Sequence, residues 1–116
     1  MKALIWLAFD MGVRGDFEGM YEFLDAHGAK ECGDSLSVLS FEYRKDLVVE
    51  LTKELRAAVN FDKRSRVYVI YPSSATAAVA QTVQGKTSGK FIIGKRRAPA
   101  WAGFGPSQGD EEDIGE

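Results

Sequence analysis

A continuous apolar run near the start of the chain constrains the fold most. Residues 3–9 read Ala-Leu-Ile-Trp-Leu-Ala-Phe, and the run ends at Asp10, with Gly12 and Gly15 close behind it. A segment that is apolar at every position is typical of a central strand with two buried faces. We therefore expect the first strand to lie inside a sheet and to end at Asp10.

An amphipathic helix is predicted after this strand. Asp16 stands at a typical N-cap position, and Gly28 follows the last apolar position of the pattern. Between them, apolar side chains recur at i, i+3, i+4 and i+7, namely Phe17, Met20, Tyr21 and Leu24. This spacing predicts a helix of about three turns with one apolar face.

Two strands joined by a tight turn come next. Residues 29–32 and 36–43 flank Gly33-Asp34-Ser35, a short connection containing glycine. A connection of this length and composition is typical of a β-hairpin. The chain is therefore expected to form two antiparallel strands here.

A second helix and a further strand complete the predicted core. Residues 46–60 place their apolar side chains on one helical face, and Asp46 stands at the start. Residues 66–71 are rich in β-branched and aromatic side chains and stop at Pro72. The order β-α-β-β-α-β predicts an α+β, ferredoxin-like fold, with an antiparallel sheet and two helices on one face.

The remaining residues predict one more strand and a tail. Residues 90–95 form a short fifth strand after a connection over residues 73–89, in which Ala75–Val83 favour a helical turn. We assign residues 1–104 to a single ferredoxin-like domain. Residues 105–116 have no core-forming pattern and are expected to be a disordered acidic tail.

The predicted sheet has helices on one face only, so the other face needs a partner. Strand three offers apolar side chains on both faces, with Leu39, Phe41 and Tyr43 on one and Leu36 and Val38 on the other. We expect a homodimer through the open face, with the strand at residues 91–95 adding to the partner's sheet edge. Trp101 and Phe104 are interpreted as a hydrophobic latch over a sheet, although they also suit base stacking.

Charge is unevenly distributed along the chain. No acidic residue occurs between Asp62 and Asp110, and five acids follow in the tail, so the net charge of −2 becomes +3 for residues 1–109. A basic body of this kind favours phosphate as a partner. The alternative interpretation is a solvated charged face without a ligand.

Single residues exclude several classes of site. Cys32 is the one cysteine and His27 the one histidine, which excludes an internal disulfide and a cysteine-based zinc cluster. A nucleophilic triad would have to use His27, which falls among helical core positions. The sequence contains no apolar run of about 18 residues, so we expect no membrane span and a cytoplasmic protein.

Taken together, these features resemble a known family. The first strand ending in Phe9-Asp10, the βαββαβ core and the fifth strand after a long connection are similar to the CRISPR-associated protein 2 superfamily, which includes the virulence-associated protein D toxins. The resemblance covers about residues 1–104. Residues 98–104, Ala-Pro-Ala-Trp-Ala-Gly-Phe, resemble the ending of its uncharacterised SinR-type bacterial branch.

The resemblance implies a catalytic and metal-binding role for Asp10. In that family the aspartate after strand one approaches its counterpart across the dimer, and two carboxylates can hold one Mg²⁺ for phosphodiester hydrolysis. This chain departs from the family's nucleases, because Phe9 and Met11 flank the aspartate and Arg14 is the one cation nearby in sequence. The alternative interpretation is that Asp10 simply ends the strand or caps the loop.

The cations predict a nucleic-acid interface. The candidate residues for sequence-independent binding of a DNA or RNA backbone are Arg14, Lys86, Lys90, Lys95, Arg96 and Arg97. The same cations would also protect an exposed edge strand from aggregation. The resulting hypothesis is a dimeric nucleic-acid-associated protein with Mg²⁺-dependent nuclease activity retained or lost. The alternative is a non-catalytic interaction module of a toxin–antitoxin or phage system.

Overall fold

Five strands and two helices make up the part of the chain that the computed structural model describes, residues 1–76, 85–98 and 102–103. The strands are β1 (Lys2–Asp10), β2 (Lys30–Gly33), β3 (Leu36–Glu42), β4 (Arg66–Pro72) and β5 (Thr87–Ile93). The helices are α1 (Phe17–Ala26) and α2 (Leu47–Ala58), and a 3₁₀ turn, Ser73–Ala75, follows β4. This order confirms the predicted ferredoxin-like α+β fold with an additional C-terminal strand.

The strands form one antiparallel sheet in the order β2-β3-β1-β4-β5. Within it, Trp6 of β1 lies opposite Val38 of β3 and Ile70 of β4. The apolar run therefore occupies the central strand, as predicted. β1 is hydrogen-bonded to a neighbouring strand on both edges, which is the position expected for a strand whose residues 3–9 are all apolar.

One face of the sheet packs against both helices. Side chains alternate across a strand, so every second residue of β1, β3 and β4 enters the same core. The buried apolar residues of these three strands are Ile5, Leu7, Phe9, Leu39, Phe41, Val67, Val69 and Tyr71, and they share one core with Met20, Phe23, Leu24, Leu47, Leu51 and Leu55 of the helices.

The other face, which we call the open face, is not covered by either helix. Leu4 is 51% exposed and Ile70 is 38% exposed, whereas Trp6, Val38 and Tyr68 are half-buried. The expectation that β1 is buried on both faces therefore fails within one chain, because the two helices pack on the same side. An apolar surface remains available to a partner.

Carboxylates satisfy the first N–H groups of both helices. Asp16 caps α1 by accepting from the N–H of Gly19 at 2.9 Å, and Asp46 caps α2 by accepting from the N–H of Val49 at 3.1 Å. Glu50 folds back to accept the backbone N–H groups of residues 44, 45 and 46 at 2.8–2.9 Å. The predicted caps are thus confirmed, because short acidic side chains can reach the unpaired donors of a first helical turn.

His27 has a structural role at the end of α1. Its Nδ1 lies 2.9 Å from the carbonyl oxygen of Phe23, and its Nε2 lies 3.1 Å from a carboxylate oxygen of Glu54 on α2. The ring also stacks on Phe41, with centroids 5.7 Å apart. His27 therefore links α1, α2 and the sheet.

The hairpin and the last strand differ in detail from the sequence prediction. β2 extends to Gly33 through an irregularity in its pairing with β3, and Ser35 takes a left-handed conformation with φ of 61°. β5 starts earlier than expected, at Thr87, and pairs with β4 of its own chain. We expected this strand to add to the sheet edge of a partner. It instead pairs with β4 of its own chain, because β1 occupies only one edge of β4 and leaves the other edge free.

Several predicted features lie outside the described residues. They are most of the helical turn at Ala75–Val83, the latch residues Trp101 and Phe104, and the tail at residues 105–116. Neither described helix is long and apolar enough to cross a membrane.

The contact between the start of α1 and the end of α2 leaves no room for a side chain at Gly19. A β-carbon there would lie 2.8 Å from the carbonyl oxygen of Ala58 and would also collide with the Asp16 carboxylate. That carboxylate accepts from the N–H of Asn60 at 2.9 Å, so it joins the two helices. Glycine at position 19 therefore permits the helices to approach.

We expect Gly19→Ala to lower the free energy of unfolding by about 1–3 kcal/mol, because the backbone of α2 must move away from the new methyl group. Urea denaturation followed by circular dichroism measures the change. Gly33→Ala is the matched control, since no atom lies within 4 Å of a β-carbon there. Equal stability of both variants would contradict this account of the helix contact.

Candidate functional site

The end of β1, the start of β4 and the end of β5 meet at one edge of the sheet. β1 runs antiparallel to β4, and β4 runs antiparallel to β5. Asp10 consequently lies opposite Arg66, and Val67 lies opposite Ile93. The segments at residues 10–16, 62–66 and 94–97 are therefore brought together, although they are far apart in sequence.

These three segments carry a concentration of positive charge, which we call the basic end. Its seven cationic residues are Arg14, Lys63, Arg64, Arg66, Lys95, Arg96 and Arg97. The carboxylates in the same segments are Asp10, Asp16 and Asp62, and each accepts hydrogen bonds from groups of the chain itself. The basic end thus retains an excess of positive charge for an external anion.

Asp10 connects the three segments. Its Oδ2 accepts from Nη2 of Arg66 at 2.8 Å and from Nη2 of Arg97 at 3.4 Å. Its Oδ1 accepts from the backbone N–H of Gly12 at 3.2 Å. The hydrogen bond from Arg66, followed by that from Gly12, lowers the pKa of Asp10 below its ordinary value. Asp10 therefore stays ionised and fixes the directions of two guanidinium groups.

Arg66 retains unused donor capacity. Its side chain is 28% exposed, and its Nε is buried without a hydrogen-bond partner in the part of the chain that the structure describes. A buried donor without an acceptor is unfavourable, by about 1–3 kcal/mol. An external acceptor can reach the exposed part of the Arg66 side chain, but the buried Nε is closed to it.

Arg97 ties the segment after β5 to the loop before β4. Besides the contact with Asp10, its Nη2 donates to the backbone carbonyl oxygen of Arg64 at 3.3 Å. This arrangement holds the guanidinium of Arg97 beside that of Arg66, although its side chain is 46% exposed. Two arginines thus stand next to each other at the rim of the open face.

The structure separates the cations that the sequence grouped. Arg14, Lys95, Arg96 and Arg97 lie at the basic end and are exposed. Lys90 lies opposite Val69, on the helix side of the edge strand β5. Lys86 precedes β5, whose seven residues span about 20 Å, so it lies near the far end of the sheet.

Sequence reasoning missed the partner of Asp10. Arg66 falls in the predicted fourth strand and is absent from the candidate binding residues. A signal was available in the predicted ferredoxin-like sheet, because an antiparallel pair places the last residue of one strand near the first residue of its neighbour. Only the register identifies that neighbour as Arg66.

The predicted Mg²⁺ site combines Asp10 with its counterpart from a second copy, so one chain supplies only one of its two carboxylates. A Mg²⁺ site needs several oxygen ligands with accessible lone pairs. Here one carboxylate is held by two guanidinium groups that would repel a divalent cation. Among the described residues, no group of three His, Cys, Asp or Glu side chains is placed to hold a metal ion.

Acidic residues lie around the β2–β3 hairpin, at the other edge of the sheet but at the same end of the strands as Asp10. A cavity of about 620 Å³ lies between α1 and the β2–β3 hairpin, and its lining includes Asp25, Glu31 and Asp34. These carboxylates disfavour a polyanion on the hairpin side. The excess of positive charge thus lies on the side of β4 and β5.

Comparison with protein-family models, with curated proteins and with solved structures found no match. The resemblance to the CRISPR-associated protein 2 superfamily stays a prediction.

The hydrogen bonds at the basic end predict a loss of stability in acid. Asp10, Asp16 and Asp62 have pKa values below the ordinary value, because guanidinium, hydroxyl or backbone N–H groups donate to their carboxylates. Their contribution is complete above the unfolded-state pKa near 4 and is lost as the pH falls through the folded-state values. We expect the Tm to be nearly constant from about pH 7 to 5 and to fall below about pH 4.

Asp10→Asn tests the contribution of one of these carboxylates. We expect a lower Tm at neutral pH, corresponding to no more than about 1 kcal/mol for a half-exposed ion pair, and a smaller fall in acid. Asp25→Asn on α1, away from both arginines, serves as the matched control. Scanning calorimetry measures the Tm of both proteins as a function of pH. Identical curves for the wild type and Asp10→Asn would show that the ion pairs of Asp10 contribute nothing to stability.

Proposed function

We propose that the protein binds nucleic acid through the basic end, by contacts to phosphates that do not depend on base sequence. The observation that carries this proposal is the convergence at one end of the sheet of three segments that carry seven cationic residues, two of which, Arg66 and Arg97, contact Asp10. Guanidinium groups match phosphate oxygens in geometry and charge. Contacts of this kind supply affinity and orientation without reading bases.

Asp10 acts in this proposal as a positioning residue. It holds Arg66 and Arg97 side by side, at 2.8 and 3.4 Å from one carboxylate oxygen. An arginine that is already oriented loses less side-chain entropy when it binds a phosphate. Mg²⁺-dependent nuclease activity with Asp10 as the ligand stays a prediction from the resemblance, and the two arginines give it no support.

Self-association through the open face is the second candidate function. Five strands about 4.8 Å apart, with a mean length of about seven residues, give a face of about 24 by 23 Å. Two such faces bury about 1,100 Å² in total, just above the area that a specific interface requires. The exposed apolar side chains of Leu4 and Ile70 favour this association. Self-association through the open face would form the predicted homodimer. If the protein does not bind nucleic acid, the same association corresponds to the predicted interaction module.

The leading proposal predicts salt-sensitive binding that depends on the basic end. We expect a short DNA duplex to bind at low salt, with an affinity that falls steeply as salt is added. Replacing Lys95, Arg96 and Arg97 together by Gln should reduce the slope of log K against log salt by about 0.9 for each phosphate that the variant no longer binds. Fluorescence anisotropy at several salt concentrations measures both quantities.

A matched control removes cations elsewhere. Lys53 on α2, with Lys86 and Lys90, lies outside the basic end and is exposed. Replacing these three by Gln changes the net charge by the same amount, and the salt slope should stay near that of the wild type. An equal reduction of the slope in both triple variants would show that binding follows net charge and not the basic end.

The second candidate predicts a monomer–dimer equilibrium that depends on Leu4 and Ile70. We expect Leu4→Glu with Ile70→Glu to shift the protein to monomer, because two facing carboxylates cannot be desolvated against each other. Val13→Glu is the control, since Val13 is 97% exposed and lies outside the sheet. Sedimentation velocity of the wild type showing monomer alone at high concentration would contradict self-association.

A further inference from the structure

A groove of about 280 Å³ lies on the open face next to the basic end. Tyr68 and Phe91 form its aromatic side, and Asp10 and Arg66 form its charged side, with Ala8 and Phe9 between them. Aromatic faces and guanidinium groups are thus brought together within one small concavity. No element of the described chain fills it.

The two rings have a defined arrangement. Tyr68 and Phe91 lie on neighbouring strands in direct register and pack edge to face, with centroids 4.9 Å apart. The Tyr68 ring also lies over Gly89, where a β-carbon would collide with it. The absence of a side chain at Gly89 therefore sets the position of the tyrosine ring.

We infer that this groove takes one unstacked base of a single-stranded nucleic acid, with the adjoining phosphate on Arg66 and Arg97. The inference rests on the proposed function and names its substrate class. Bases of a single strand can stack on aromatic side chains, whereas both faces of a base inside a duplex are already covered. The volume is just below the roughly 300 Å³ of a pocket for a larger ligand, which suits a single ring system.

The positive charge beside the groove favours a nucleotide over an uncharged ligand. Arg66 lines the groove and has a buried Nε without an acceptor in the described part of the chain, and Arg97 stands beside it. An apolar partner would desolvate the exposed parts of these two cations without offering an acceptor, whereas a nucleotide offers phosphate and base acceptors to them. Pairing of two open faces would cover the same groove, so base binding and self-association compete.

The test compares single-stranded and duplex probes on the full chain. Fluorescein-labelled oligothymidylate of about 12 nucleotides, the corresponding uridine RNA and a duplex of equal length are titrated by anisotropy at fixed salt. The wild type should bind a single strand more tightly than the duplex. The ratio of the affinities for the thymidylate and uridine probes then shows whether the protein prefers single-stranded DNA or RNA.

Variants at the groove separate stacking from charge. Phe91→Ala should weaken single-strand binding about tenfold and leave duplex binding nearly unchanged. Gly89→Ala should act in the same direction, because it displaces the Tyr68 ring while both aromatic residues remain. Tyr21→Ala, an exposed aromatic on α1, is the control and should leave both affinities unchanged.

Each outcome decides the inference. Circular dichroism of the variants verifies that they are folded, and Gly89→Ala carries the test if Phe91→Ala does not fold. Equal losses of affinity for single-stranded and duplex probes, or no loss in the groove variants, would overturn base binding while the proposed phosphate contacts stand. Failure of the wild type to bind any probe would overturn both proposals.

Discussion

The antiparallel pairing of β1 with both of its neighbours is the constraint on which the rest of the structure depends. It places every second residue of the central strand under the helices and the others on the open face. The same register sets the last residue of β1, Asp10, opposite the first residue of β4, Arg66. Core, open face and candidate site therefore follow from one set of backbone hydrogen bonds.

The candidate site combines an internal counterion with an excess of free cations. Asp10 neutralises part of the charge of Arg66 and Arg97 and, in return, restricts their conformations. The described segment after β5 also carries Lys95 and Arg96 and contains no acidic residue. A surface of this kind is suited to polyanions, because phosphate replaces water around guanidinium groups that are already oriented. The acidic lining on the hairpin side limits where such a ligand binds.

The open face connects the two proposed functions. Its apolar side chains, such as Leu4 and Ile70, favour a second copy of the chain, whereas the groove formed by Tyr68, Phe91 and Arg66 favours a base with its phosphate. Both occupants use the same surface, so one excludes the other. On these two proposals, the balance between self-association and base binding would depend on the protein concentration and on the presence of nucleic acid.

The sequence alone determined the elements, the caps at Asp16 and Asp46, and the central place of the apolar run, because these depend on local periodicity and on nearest neighbours in the chain. It also predicted Asp10 and the cations after β5 as functional candidates. Only the tertiary structure decided that β5 pairs with its own β4, that Lys86 and Lys90 lie away from the other cations, and that Arg66 is the partner of Asp10. Register and strand direction set these relations, and they arise from packing between segments that are distant in sequence.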